Sequence, residues 1–150
     1  MAAPTAPILG FNAKLYRNTG TYGTPIWNEV PNVGDLELSL EASEAATNVR
    51  SGAGFEQAVA GLIKAGINFT MIYDPADVDQ TAMVTAFFAR TSIEFAVMDQ
   101  AIETAGSQGL RAVCMITKMS RQEKLGEALM FDVTIRPTYS ANAPSWMTSV

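Results

Sequence analysis

VGDLELSLEASEAATNVRSGAG, Val33 to Gly54, opens as a two-residue alternation and dissolves into small and polar residues. Leu36, Leu38 and Leu40 fall on one face of a strand, with Asp35, Glu37, Ser39 and Glu41 on the other. Such a strand covers a core with one side and meets water, or a wet channel, with the other. The spacing predicts a strand over 34–41 and a long loop over 42–54. That loop has one large apolar residue, Val49, with which to dock on its own domain. A long loop leaving a well-made strand is commonly functional or disordered.

Outward from this stretch, the pattern predicts strands at Lys14–Arg17 and Ile26–Val30, the latter ended by Pro31. Residues 55–74, FEQAVAGLIKAGINFTMIYD, read as a hairpin turning at Ala65-Gly66, with Ile67, Phe69, Met71 and Tyr73 sharing a face. One helix is predicted over 77–90, with Asp77 as N-cap and Gln80 at capping-box spacing. Its pairs Met83/Phe87 and Val84/Phe88 build a broad apolar face. Further strands are expected at Ile93–Gln100, Leu110–Met119 and Ala128–Arg136, and GSQG (106–109) reads as a turn. In the second of these strands Leu110, Ala112, Cys114 and Ile116 lie on one side and Val113, Met115 and Met119 on the other, so it needs cover on both. Residues 1–13 read as an extended arm and 138–150 as an extended tail. The predicted fold is one mostly-β domain over 1–150, an antiparallel β-sandwich or barrel with a single flanking helix.

Composition narrows the function. At 150 residues the chain is of single-domain size, and its formal charge of −5 with scattered Lys and Arg argues against a dedicated nucleic-acid binder. There is no histidine, so Ser-His-Asp and Cys-His catalysis and imidazole metal ligation are excluded. Asp74, Asp77 and Asp79 lack the glycine and terminal glutamate of a calcium loop and are better explained by helix capping. The lone Cys114 sits in LRAVCMI and reads as a small buried hydrophobe. No catalytic residue, cofactor or metal is assigned. No leader is legible and no run reaches the roughly 20 apolar residues of a membrane span, so a soluble protein is expected.

The order of elements resembles that of phage major tail tube proteins and their relatives in contractile injection machines, over roughly Leu15 to Trp146. The resemblance rests on GDLELSLE and the segment after it, ATNVRSG ending in Arg50 and its glycine, INFTMIYDP followed by the single helix, and the closing LGEALMFDVTIRPTY. It implies hexameric rings of this chain stacked into a hollow tube, through which DNA passes during ejection without specific binding. It also implies partners at the tape measure, tail terminator and baseplate or tip, leaves room for a sheath, and places the protein in the virion tail after assembly in the host cytoplasm. The long loop then meets the neighbouring ring, with Ser43, Glu44, Thr47, Asn48 and Arg50 as contact candidates. The loop is expected to be poorly ordered in the free subunit. Polar strand faces line the lumen, and Glu37 and Glu41 on one strand and Asp132 and Thr134 on another are the candidates. The competing reading is a monomeric β-barrel holding a small apolar ligand.

Overall fold

The computed structural model describes residues 6–149; the first five residues of the expected arm, and Val150, lie outside them. Eight strands and one α-helix follow in the order β1 (Lys14–Asn18), β2 (Trp27–Glu29), β3 (Val33–Ala46), β4 (Ala58–Ile72), α1 (Val78–Ala89), β5 (Ile93–Met98), β6 (Gln108–Gln122), β7 (Met130–Pro137) and β8 (Ser145–Thr148). All pairings are antiparallel in one sheet of order β2-β1-β5-β6-β7-β4-β3, with β8 on β6. The mostly-β architecture with a single helix is as the patterning predicts. The sheet is not closed into a barrel. It curls until Leu36 and Leu38 of β3 pack in the same core as Leu15 of β1, Phe95 of β5 and Met83 of α1.

Two expected features of residues 42–74 are corrected. Residues 55–74 do not form a hairpin. Ala58–Ile72 is one strand, Ala65-Gly66 lies in its interior, and its partner is β3, paired from Val33↔Met71 to Ala46↔Ala58. The segment 42–54 is therefore not a loop from its start: residues 42–46 continue β3, and the connection spans residues 47–57 with one short 3-10 turn at Arg50–Gly52. Gly61 serves the ladder rather than a turn. A β-bulge between Ala42 and Glu44 brings Ser43 Oγ so close that a Cβ at Gly61 would lie 2.5 Å from it.

The two-sided cover falls on a different strand from the one expected. In β6 the core takes Leu110, Ala112, Cys114 and Ile116, and the bulge between Ile116 and Lys118 then swings Met119 onto the same face. Met115 stays exposed on the other side. It is β5 that is buried on both faces. Phe95 and Val97 enter the main core, while Ala96 and Met98 join Tyr16 in a second cluster covered by Trp27, Ile102 and Met147. The covering Met147 lies on β8, so part of the expected tail is an integral strand.

Helix α1 starts where Asp77 Oδ1 accepts from the Asp79 N–H at 2.9 Å. Gln80 makes no capping box. Its amide accepts from Asp74 N–H (3.0 Å) and donates to Ile72 O (2.6 Å), anchoring the helix to the end of β4. Arg17 on β1 grips Asp79 at 2.6 Å. Met83 and Ala86 enter the core, whereas Phe88 is 78% exposed, so the buried face is narrower than the sequence suggests.

Gly109 faces β5 so closely that a Cβ would lie 1.6 Å from Val97 O. Backbone cannot yield as a side chain can. Gly109→Ala is expected to cost about 3 kcal/mol or more, checked by chemical denaturation. Gly66→Ala, with nothing within 4 Å of the new methyl, serves as the control and should be neutral or stabilise by up to about 1 kcal/mol.

Candidate functional site: a polar sheet face between two free edges

Period-two geometry and the cross-strand register build one continuous polar surface on the side of β3, β4, β7 and β6 away from the core. Glu37, Asn68, Thr134 and Lys118 stand in one row across the four strands, and Thr70, Asp132 and Ser120 in a parallel row. Glu41 is opposite Lys64, and Ser39 opposite Gly66. The structure thus brings all four lumen candidates, Glu37, Glu41, Asp132 and Thr134, onto a single face. Four carboxylates (Asp35, Glu37, Glu41, Asp132) meet three cations (Lys64, Lys118, Arg136) there, so the face is slightly acidic. Thr134 Oγ1 donates to Asn68 Oδ1 at 2.8 Å, Gln122 Nε2 donates to Asp132 Oδ2, and Asp35 N–H donates to Thr70 Oγ1 at 3.1 Å. These bonds fix polar side chains that face solvent.

Free edges bound this face. Among the described residues β3 pairs with β4 alone, which leaves its outer edge open along its length. β6 pairs with β5 only up to Cys114, so from residue 115 to 122 its second edge is open too. Unpaired N–H and C=O rows of this length are templates for another strand.

The β3–β4 hairpin projects beyond the rest of the sheet. β7 accompanies β4 only from Ile67 onward, so residues 58–66 extend past it by roughly 30 Å at ~3.3 Å per residue. From residue 39 to 64 every residue but Gly52 is exposed. Of the five contact candidates, three hold the hairpin itself. Ser43 Oγ accepts from Leu62 N–H (2.9 Å), Asn48 Oδ1 accepts from Gln57 N–H (2.7 Å), and Thr47 N–H donates to Gln57 O. Glu44 and Arg50 are left with exposed side chains that make no ion pair among the described residues. Sequence reasoning missed the apolar content of this projection: Phe55 is 75% and Leu62 86% exposed, alongside Val59 and Ile63. The signal was present in Leu62-Ile63, adjacent residues that put apolar groups on both faces of one strand.

Elsewhere the chemistry is sparse. Among the described residues no group of three His, Cys, Asp or Glu could hold a metal ion, and no helix is long and apolar enough to cross a membrane. Asp77 and Asp79 are taken up by the helix cap and Arg17. Burial pushes the Cys114 thiol up to about 12, which leaves it protonated and inert.

No protein-family model matches this chain, and no curated protein sequence matches it. Solved structures do. A chain in the tail of an empty gene transfer agent particle, solved with C6 symmetry, aligns with a TM-score of 0.72 at 19% identity, over 93% of this chain and 98% of that one. The SPP1 tail tube aligns at 0.69 and 14% identity, over 87% of this chain and 75% of that one. The sheath–tube complex of an extracellular contractile injection system, in its extended state, aligns at 0.58 and 10% identity, over 95% and 92%. The chain has the tail-tube fold.

Proposed function

We propose that this protein is the structural, non-catalytic subunit of a tail tube, in which copies join edge to edge into hexameric rings that stack into a hollow cylinder. The observation that carries this is the four-stranded polar face lying between two open edges. Its strands alternate in direction, β6 against β7, β7 against β4, β4 against β3. Four is even. A second copy placed by rotation about an axis along the strands therefore offers its β6 segment antiparallel to the first copy's β3, and the pairing repeats until the ring closes and no edge remains. The C6 symmetry of the gene transfer agent tail supports six copies.

In this ring the polar face lines the lumen through Glu37, Glu41, Asp132 and Thr134. Its slightly acidic charge suits passage of DNA, because an excess of unpaired Lys and Arg would release counterions from phosphate and hold the polymer. The protein then belongs to the virion tail, assembles in the host cytoplasm and meets a tape measure, a terminator, a baseplate or tip and, in a contractile tail, a sheath. The ligand-barrel alternative lacks support: the sheet is open, and Ile67, Phe69, Met71, Met83 and Phe95 fill the interior that a ligand would need.

Negative-stain microscopy of the purified chain tests the reading. Rings or hollow tubes are expected at modest concentration, and a chain that stays monomeric when concentrated would overturn it.

A further inference from the structure

We infer that rings stack by seating the tip of the β3–β4 hairpin of one copy on the β6–β7 turn of a second copy, with Arg50 opposite Glu127 and Glu56 opposite Lys124. The inference rests on the tube reading above and adds the acceptor surface to it.

The register places the two partners at opposite ends of the molecule. The hairpin closes at Ala46↔Ala58. The β6–β7 turn starts where Gln122 meets Met130, and Met130 is opposite Ile72. Between Ala58 and Ile72 the chain runs straight through β4, about 46 Å at ~3.3 Å per residue. Copies stacked along the strand direction therefore bring the tip of one toward the turn of the next.

Both ends carry an exposed apolar knob flanked by opposite charges. At the tip, Phe55 is 75% exposed beside Glu56, with Arg50 across the 3-10 turn. At the far end, Leu125 is 103% exposed between Lys124 and Glu127. A fully exposed leucine at a turn gains nothing from its own fold. Arg50, Glu56, Lys124 and Glu127 make no ion pair among the described residues, although Arg121 and Glu123 beside the turn pair with each other. The occupant is therefore a second copy of this chain: each end carries one cation and one anion about an apolar residue, so a tip and a turn docked in opposite senses pair each cation with an anion and bring Phe55 against Leu125. Arginine suits the role, since its planar fork can bind a carboxylate in two places.

Charge exchange tests this in full-length chain. R50E and E127R should each fold normally by circular dichroism and each lose pelletable tubes, while R50E/E127R should regain them. The pair R50C/E127C, oxidised in preformed tubes, should give a ladder of covalent multimers longer than one ring, with Cys114 too buried to compete. Wild-type tubes together with no rescue by the double reversal and no ladder would overturn the tip-to-turn contact and leave the tube reading standing. A wild-type chain that forms neither rings nor tubes would overturn the tube reading, and this contact with it.

Discussion

Excising residues 43–62 and joining Ala42 to Ile63 through Asn-Gly is expected to give a folded chain that forms no tubes. Ala42 and Ile63 are direct cross-strand partners, so a two-residue Asn-Gly connection closes them in the turn type that matches strand twist. The excised residues are exposed apart from Gly52, and none belongs to either buried cluster. Core stability should therefore change little, and the near-UV and far-UV spectra of the body should persist. The loss falls on association, because the excised segment carries Val49, Phe55, Val59 and Leu62, all exposed and without a place in the subunit's core. The shortened β3 retains residues 33–42, and with them much of its open edge. Isolated rings that fail to stack would show the hairpin acting between rings. Normal tubes from the shortened chain would remove the hairpin from assembly altogether.

What was legible in the sequence was whatever depends on a local period. Leu36/Leu38 against Glu37/Glu41, and Val133/Ile135 against Asp132/Thr134, gave their faces directly, and four polar candidates from two strands fell on one surface because β4 pairs with both. The N-cap at Asp77 was equally local. Pairing partners were not legible. Gly61 and Gly66 look like turn residues, but one accommodates a bulge contributed by Ser43, 18 residues earlier in the chain, and the other lies in open space within the strand. Without that pairing, residues 42–46 have no visible reason to be a strand. The bulge in β6 is a second long-range effect, since it reverses the facing of Met119 against strict alternation. Burial of β5 on both faces was hidden for the same reason: its outer cover comes from Tyr16, Trp27 and Met147, scattered along the sequence.

Arg111→Met is expected to destabilise the subunit by about 3–5 kcal/mol, the usual cost of removing one partner from a buried ion pair. Arg111 and Glu94 face each other on the outer side of β6 and β5, with side chains only 16% and 8% exposed. Arg111 Nη2 donates to Glu94 Oε1 at 3.0 Å and to the Tyr22 carbonyl at 2.6 Å, and its guanidinium lies 3.9 Å from the Tyr22 ring centroid and 5.3 Å from that of Trp27. Asn18 Nδ2 donates to the same Glu94 oxygen at 2.6 Å. One side chain therefore joins β5 to β6 and pins residues 19–26 over the sheet. Methionine fills much of the volume but leaves a buried carboxylate with Asn18 alone, so the loss is electrostatic more than steric. Arg111→Lys keeps the charge yet forfeits the stacked, forked geometry, and should fall between wild type and Arg111→Met. Adding Glu94→Gln to Arg111→Met removes the stranded charge and should recover a large part of the loss. Urea denaturation of the four chains gives a double-mutant cycle. A loss below about 1 kcal/mol for Arg111→Met would be the size typical of exposed pairs and would show that water screens this one. A double variant as unstable as Arg111→Met would instead assign the effect to the lost aromatic stack over Tyr22 and Trp27.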